Sequence, residues 1–591
     1  MKDFLKYVCA TVVGIILFTV IAGILTMMSL VGMVASGQAT KSIKDNSVLV
    51  LNLSGVMSEQ AEEDIMSMIS NSVSQQMGLQ ETLVAIKKAK SSDEVKGIYI
   101  EAGAFGADIA QIQEIRQALV DFKKSGKWII AYGDVYTQGT YYLSSVADKV
   151  YLNPQGGIDW HGIGAQPMFV KDLLAKFGIK MRILKVGKYK SATEMFSEDK
   201  MTDFNRHQTE VYINGLWNNI CREVGASRKL SVETLNAYAD SLITFSAQQD
   251  LVRMKMVDGL LYHDQIRAEV KKLLELKEKD DINQVTISDM QNVKEDADGE
   301  KIAIYLAYGD IVDTDTEGLM GSNGHKIVSG PTCKDFEKLM NDDDVKAVVI
   351  RVNSPGGSAY ASEQIWRQVS LLKEKKPVVI SMGGYAASGG YYISCNANWI
   401  VAEPTTLTGS IGIFGMIPDY SQLVTQKLGV KFDEVKTNKY STFGNMMARP
   451  MSDEEASFVQ RHIERGYYTF RQRVADGRKL TVDQVEENAQ GHVFLGQDAL
   501  GIKLVDELGG LDVAVAKAAK LAKLDEYYTE TYPAKSNVLE KLLEEATGQG
   551  TYLDAQMRAM LGIYYEPFML LKSMNGQAAV QARLPFWVNV K

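Results

Sequence analysis

The feature that most constrains the fold is an internal repeat with a spacing of 250 residues, the distance from Lys96 to Lys346. Residues 96–100 match 346–350, residues 128–133 match 378–383, and residues 139–144 match 389–394. Each copy alternates short β-branched runs with helical patterns, which is typical of an α/β fold with parallel strands. The repeat therefore predicts two tandem copies of one α/β domain, each of ordinary domain size.

The limits of the repeat divide the chain into five parts. Residues 264–300 are rich in Lys, Asp and Glu, and a run of charges is usually a solvated surface. We therefore predict a membrane anchor at 1–45, a first repeat domain at 46–263, a charged linker at 264–300, a second repeat domain at 301–535, and a segment for packing or subunit contact at 536–591.

The beginning of the chain has the pattern of a membrane span. Residues 7–40 contain no charged side chain, and about 20 apolar residues cross a bilayer. The apolar core of a cleaved signal peptide is shorter, about 7–15 residues, although small residues at 37–39 leave cleavage open as an alternative. Lysines flank the run on both sides, so the charge bias is weak. We expect a single span with the bulk of the chain on the far side of the membrane.

The overall charge excludes one class of partner. The formal net charge is -9 and the pI is about 5.5, whereas nucleic-acid binding needs a basic surface. The four cysteines are far apart in sequence, so no metal or redox motif of the CxxC type is present. We predict no nucleic-acid partner, no metal and no cofactor.

A candidate nucleophile, Ser388, stands between small residues in the segment 383–392, after a buried-strand pattern and before a helical run. Glycines permit a tight turn there, and a helix N-terminus favours nearby negative charge. A glycine-rich turn packed on a helix is the simpler interpretation. However, the first copy has Gln138 at the matching position, so the two copies differ where chemistry would occur.

A serine nucleophile needs a base. None of the six histidines lies in a strong motif with an acidic partner, and His161 is the one nearest a repeat loop. The alternative is Lys190, because the second copy has Ser441 at the matching position in the segment 439–441. One copy thus keeps a lysine and the other a serine. A lysine acts as a base only when it is desolvated and neutral, so we expect a dry site.

Two further segments fit this chemistry. The turn at 353–358 contains Gly356 and Gly357, whose N–H groups, together with that of Gly389, can form an oxyanion hole. The segment 407–412 contains Ser410, whose hydroxyl can orient the lysine amine. Each of these signals is weak by itself, because Pro-Gly-Gly is also an ordinary turn.

Taken together, four segments resemble the long, two-repeat form of the S49 serine peptidases, the signal peptide peptidase A or protease IV family. The resemblance covers nearly the whole chain, and the matching segments lie at 188–192, 354–358, 385–391 and 408–412. It implies two tandem Clp-protease/crotonase-like (ββα-spiral) domains. One departure is Met195 after Glu194, where the family often has proline.

The resemblance also implies roles and a setting. Ser388 would be the nucleophile, Lys190 the general base and acid, and Ser410 the residue that orients the lysine, with Gly356, Gly357 and Gly389 binding the oxyanion. The enzyme would be a homotetrameric serine endopeptidase of the bacterial inner membrane, with its catalytic domains on the periplasmic side. Its substrates would be remnant signal peptides and other hydrophobic peptides. Two alternatives are a crotonase-type acyl-CoA enzyme and a membrane-anchored scaffold with an unused site.

Overall fold

The computed structural model describes residues 42–61, 77–293, 298–315, 325–534 and 580–583, with isolated helical positions at 6–7, 14, 17–18 and 21. No helix within these residues is long and apolar enough to cross a membrane. The anchor predicted for residues 1–45 lies almost entirely outside them and stays a prediction.

Three sheets are formed by the described strands. Those of the first half are β1 (Ser47–Ser58), β2 (Met77–Gly78), β3 (Val95–Gly106), β4 (Trp128–Tyr136), β5 (Lys149–Ile158), β6 (Lys180–Lys185), β7 (Gly259–Leu260) and β8 (Asn283–Val285). Those of the second half are β9 (Glu300–Tyr308), β10 (Asp310–Val312), β11 (Lys326–Val328), β12 (Val345–Ser354), β13 (Gly356–Ser358), β14 (Val378–Ala387), β15 (Trp399–Ala402), β16 (Leu407–Gly409), β17 (Phe414–Asp419), β18 (Val493–Leu495), β19 (Glu507–Leu508), β20 (Tyr527–Tyr532) and β21 (Val580–Arg583).

Helices connect and cover these strands. In the first half the α-helices span Leu79–Ser91, Ile109–Lys123, Gln138–Ser144, Lys171–Phe177, Glu194–Ser197, Asp203–Arg228, Val232–Asp240, Gln248–Arg253, His263–Leu273 and Ile287–Gln291. In the second half they span Ser329–Asn341, Ala359–Lys375, Gly389–Ser394, Asp453–Arg478, Val482–Asn488, Gly496–Gly501 and Leu511–Ala522. Short 3-10 turns occur at Ser191–Thr193 and Ile243–Phe245, and a π-turn at Leu423–Lys427.

The repeat predicted from the sequence is present in the sheets. The first sheet has the order β2-β1-β3-β4-β5-β7, with β8 beside β1, and the matching sheet of the second half has the order β18-β16-β14-β12-β9-β20, with β15 and β19 attached. Strands β1, β3, β4 and β5 pair in parallel, as do β9, β12, β14 and β15. This confirms the α/β fold and its two copies.

Strand β12 shows how the apolar runs build the core. Its alternate residues Val348, Ile350 and Val352 pack on one side of the sheet, in the main core of the second repeat. Val349 faces the other side, where it packs against the helix Leu511–Ala522. Because both faces of the strand are covered, residues 347–350 are all apolar rather than alternating with polar residues.

A third sheet joins the two repeats, in the order β11-β10-β13-β21-β17-β6. Strand β6 comes from the first repeat and pairs antiparallel with β17 of the second, with Lys185 opposite Phe414. Strand β21, from the segment 536–591, lies between β13 and β17. The first repeat therefore extends an arm onto the second, and Lys190 follows directly after that arm.

Two segments differ from their sequence-based description. Residues 264–300 contain β8, which pairs with β1 through Asn283 opposite Ser47, so part of the predicted linker is an edge of the first sheet. Within 536–591, predicted as a segment for packing or subunit contact, the structure describes a strand at Val580–Arg583 and pairs it with Gly356 and Gly357. The remainder of that segment lies outside the described residues.

Candidate active site

Ser388 lies at the junction between β14 and the helix Gly389–Ser394. Its backbone has φ 56° and ψ -113°, and a positive φ is uncommon for a residue other than glycine. Its N–H donates to the carbonyl of Gly409 over 2.8 Å, and its carbonyl accepts from the N–H of Tyr392 over 2.8 Å. The side chain is fully buried. Strained backbone of this kind is concentrated at functional sites.

Lys190 reaches Ser388 from the other repeat. Its Nζ lies 2.7 Å from Ser388 Oγ, 3.0 Å from Ser410 Oγ and 3.1 Å from the carbonyl oxygen of Ser410. The side chain is 1% exposed, and this burial holds the pKa of the lysine well below its ordinary value. A neutral amine at this position can accept a proton from the serine hydroxyl. The structure thus brings together three residues that the sequence singled out.

A loop at 490–492 encloses Lys190. The N–H of Gly491 donates to the carbonyl of Ile411 over 2.8 Å, and the N–H of Ser410 donates to the carbonyl of His492 over 2.7 Å. A Cβ on Gly491 would lie 2.7 Å from the Cβ of Lys190. The loop therefore forms a close wall on the lysine. In the sequence it resembles an ordinary helix end with a glycine, so the pattern gave no sign of this role.

Gln208, on the helix Asp203–Arg228, holds the lysine-bearing segment from the other side. Its Nε2 donates to the carbonyl of Tyr189 over 3.1 Å and to Ser191 Oγ over 3.1 Å. Its Oε1 accepts from the N–H of Val493 over 3.3 Å. One side chain thus ties the segment around Lys190 to the second repeat. Sequence reasoning missed this residue, because a glutamine on a helix carries no distinctive signal.

His492 has a packing role in this arrangement. Its ring stacks on that of Tyr189, with centroids 4.2 Å apart and planes inclined by 12°. Burial lowers its pKa to about 4, so the ring is neutral at physiological pH. It therefore contributes an uncharged wall beside the lysine segment.

The predicted oxyanion glycines also lie beside Ser388. A Cβ on Gly389 would lie 3.1 Å from the Cα of Gly356 and 3.1 Å from the N of Gly357. A Cβ on Gly357 would lie 2.0 Å from the carbonyl oxygen of Ile311, so β13 can approach β10 only without a side chain there. The N–H of Gly356 donates to Ser354 Oγ over 3.2 Å. The glycines therefore let the helix N-terminus and β13 meet at van der Waals distance.

The matching position of the first repeat is arranged differently. Gln138 Oε1 accepts from the N–H groups of His161 and Gly162 over 2.9 and 2.8 Å, and its Nε2 donates to the carbonyl of Gly162 over 3.0 Å. The His161 ring is 50% exposed and lies 3.3 Å from Asp159. A glutamine bonded to the adjacent loop thus stands where the second repeat has Ser388, and His161 flanks this position rather than the Ser388 site.

A second buried polar cluster lies where the repeats meet. Arg351 of β12 donates to Glu59 over 2.8 Å and also to Glu114, both from the first repeat. Asn353 Nδ2 donates to Glu59 over 2.7 Å and to Asp108 over 3.1 Å. All five side chains are buried. These contacts fix the first repeat against the strand that leads to the glycine turn at Gly356.

This cluster contains more acid than base. Burial raises the pKa of Asp108 to about 7. Burial also raises the pKa values of Glu114 and Glu403, which repel each other. One guanidinium cannot neutralise all these carboxylates, so part of the cluster is protonated near neutral pH. The sequence offered one sign of the cluster, namely Arg351 inside an apolar strand, but not its partners.

Comparisons with known proteins point to one peptidase family. The profile of Peptidase family S49 matches residues 121–277 and 370–525. The chain is 38% identical over 498 residues to "Protease 4" of Salmonella typhi, covering 82% of this chain and 78% of that protein. It is 33% identical to "Protease 4" of Haemophilus influenzae, covering 84% and 83% of the two chains, and 28% identical to "Serine protease SPPA, chloroplastic" of Arabidopsis thaliana, covering 92% and 78%.

The chain belongs to peptidase family S49, and it is a serine peptidase. The family match confirms the resemblance found in the sequence. It favours a serine peptidase over the two alternatives, an acyl-CoA enzyme and a scaffold. Among solved structures, ClpP1 from Listeria monocytogenes aligns with 35% of this chain and 91% of its own at 14% identity and a TM-score of 0.22. That similarity is too small to carry an argument, so the Clp-like spiral stays a prediction.

Proposed function

We propose that this peptidase uses Ser388 as nucleophile and Lys190 as general base and acid. The observation that carries the proposal is the 2.7 Å separation of Ser388 Oγ and Lys190 Nζ. Burial of the lysine supports a neutral amine, which is the protonation state that a base requires. Ser410, with its hydroxyl and carbonyl within 3.1 Å of Nζ, orients that amine.

The reaction follows the logic of a serine–lysine variant of the triad. Lys190 takes the hydroxyl proton of Ser388 as Oγ attacks the peptide carbonyl. The resulting ammonium donates its proton to the leaving amine when the tetrahedral intermediate collapses. A water molecule, deprotonated by Lys190, then attacks the acyl-enzyme and releases the second product.

The glycines provide the electrostatic part of the mechanism. N–H groups aimed at the developing oxyanion lower the barrier by a few kcal/mol each. Gly389, at the N-terminus of a helix directly after the nucleophile, and Gly356 with Gly357, on the strand against it, would supply these groups, and their close approach supports this role. Gly356 would exchange its hydrogen bond to Ser354 for one to the substrate oxygen.

The proposed substrates and location are supported by the N-terminal pattern and by the name of one relative. We propose that residues 1–45 anchor the enzyme in the bacterial inner membrane, with the catalytic domains on the periplasmic side as a homotetramer. The substrates would be remnant signal peptides and other hydrophobic peptides bound as extended strands. One relative, covering 44% of this chain at 31% identity, is named "Putative signal peptide peptidase SppA" in Enterococcus faecium.

The assignment is tested with Ser388→Ala and Lys190→Ala. Each should lower kcat/KM for an apolar fluorogenic peptide by about 10⁴-fold or more, because either loss removes the activated nucleophile. Fluorophosphonate should label the unchanged protein once, label Lys190→Ala far more slowly, and not label Ser388→Ala. Lys188→Ala is the matched control, because Lys188 is exposed and contacts the Phe204 ring. Full activity in either active-site variant would refute the assignment.

A further inference from the structure

The strand β21 occupies a cleft beside the candidate site, and we call this segment, Val580–Arg583, the plug strand. It pairs antiparallel with β13, with Arg583 opposite Gly356 and Ala582 opposite Gly357. On its other edge it pairs antiparallel with β17, where Gln581 lies opposite Phe414. The plug strand is therefore a central strand of the third sheet, although it follows all the other strands of that sheet in the sequence.

Both neighbours of the plug strand are connected to the candidate site. Strand β13 carries the glycines proposed for the oxyanion hole, and the helix Gly389–Ser394, which begins directly after Ser388, also contacts the plug strand. Strand β17 pairs with β6, which leads into the segment of Lys190. The plug strand thus pairs on one edge with the strand of the proposed oxyanion glycines and on the other with β17, the strand on which β6 is seated.

The cleft has room for one strand. Within the part of the chain that the structure describes, β13 pairs otherwise with β10 and β17 pairs otherwise with β6. Two strands that share one central neighbour are about 9–10 Å apart, twice the usual spacing between paired strands. A peptide that enters this cleft extended would use the backbone groups of β13 and β17 that the plug strand now uses. The two cannot be bound together.

We propose that the plug strand is an intramolecular, substrate-like inhibitor that must leave the cleft before a peptide binds. The inference rests on the proposed function of Ser388, because it treats this cleft as the substrate site. A ligand on the same chain has a high effective concentration, so it keeps the cleft filled until a peptide of sufficient length and affinity displaces it. The enzyme would therefore discriminate against weakly binding polypeptide segments.

The test in the full chain replaces both central residues of the plug strand by proline. Consecutive residues of a strand direct their N–H groups to opposite neighbours, so Gln581→Pro with Ala582→Pro removes one donor towards each side. Each lost backbone hydrogen bond shifts the open–closed equilibrium by about fivefold. We expect kcat/KM for an apolar octapeptide to rise by about ten- to thirtyfold. The control, Gln581→Ala with Ala582→Ser, keeps both N–H groups and should leave the rate within about twofold.

A second measurement needs no substitution. An apolar tetrapeptide boronate, which forms a covalent adduct with an active serine, is added to the unchanged protein, and deuterium exchange is followed by mass spectrometry. We expect exchange at 580–583 to accelerate at least about tenfold when the adduct forms, because the inhibitor takes the place of the plug strand. A synthetic peptide of residues 576–587 should inhibit the double-proline variant competitively.

The outcomes separate the two proposals. If no adduct forms on Ser388, the proposed function of the site fails. If the adduct forms but exchange at 580–583 is unchanged, or if the double-proline variant is folded and no faster than its control, the plug inference is wrong and the strand is a fixed part of the sheet.

Discussion

Gly491→Ala gives the most direct test of how the lysine is positioned. Gly491 has a φ of +83° and lies against the backbone of Lys190. An alanine Cβ there would be 2.7 Å from the Cβ and from the N of Lys190, and 2.8 Å from its Cα. These are backbone atoms and a Cβ, which cannot rotate away as the end of a long side chain can. The clash must therefore displace the lysine segment or the loop.

The size of the effect follows from these distances. Ordinary contact of a Cβ begins at 3.4 Å, so one of the two segments must move by about 0.7 Å, the difference from 2.7 Å. A displacement of this size carries Lys190 Nζ beyond good hydrogen-bond distance from Ser388 Oγ, which is 2.7 Å at present. Misplacement by about 1 Å costs roughly 10²-fold in rate. The left-handed backbone adds about 1–2 kcal/mol of destabilisation for alanine.

The assay measures kcat with the apolar fluorogenic peptide, the rate of fluorophosphonate labelling and the midpoint of thermal unfolding. We expect kcat and the labelling rate to fall together by about 10²-fold, because both depend on deprotonation of Ser388. The control is Gly330→Ala, in the helix Ser329–Asn341, where an added Cβ meets nothing within 4 Å. It should keep full activity, because the added methyl group touches neither the lysine segment nor the loop at 490–492.

The opposite outcome is a folded Gly491→Ala protein whose rates of fluorophosphonate labelling and of peptide turnover lie within about threefold of those of the unchanged protein. In that case the contact of this loop with the lysine would not set the catalytic geometry.

Three further outcomes follow from the site. Ser410→Ala should lower kcat about tenfold and move the acidic limb of the pH–rate profile to lower pH. The reason is that removing a hydrogen-bond acceptor disfavours the ammonium form of Lys190. An unchanged profile would contradict a functional contact between Ser410 and Lys190. Burial raises the pKa of Asp108 from 3.8 to about 7, so the folded state binds more protons and the free energy of unfolding falls as pH rises from about 4 to about 7. Asp108→Asn should make the free energy of unfolding, measured with urea, depend less steeply on pH in this range. An equally steep dependence would exclude Asp108 as its source. Gln138→Ser should leave fluorophosphonate labelling at one site per chain, because Gln138 bonds to the loop at His161 and Gly162 and to no lysine among the described residues. A second labelled serine would disprove this.

Much of the fold could be predicted because the chain presents the same pattern twice. Strands such as β12 and β14 are continuous apolar runs, and their alignment with β3 and β4 fixes which segments are equivalent. The comparison of copies also paired Lys190 with Ser388, because each residue is absent where the other copy would need it. Such a difference between repeats is a signal within the sequence itself.

The remaining parts of the site depend on contacts between distant segments. Gln208 and Gly491 act through backbone groups, and their residue types are common on helices and in turns. The partner of Arg351 is 292 residues away at Glu59, and the plug strand joins β13 across more than 200 residues. No local pattern encodes these pairings, because they arise only when the sheets assemble.

The division of the site between the repeats has a consequence during synthesis. Lys190 and Ser388 are 198 residues apart in the chain, and translation adds about 5–20 residues per second. Lys190 is therefore made about 10–40 s before Ser388, and the first repeat can fold before the proposed nucleophile exists. The joining strand β17 is made later still. Under the proposed roles of Ser388 and Lys190, a newly made chain would lack peptidase activity while its own extended segments are most exposed, and would gain it once both halves are folded together.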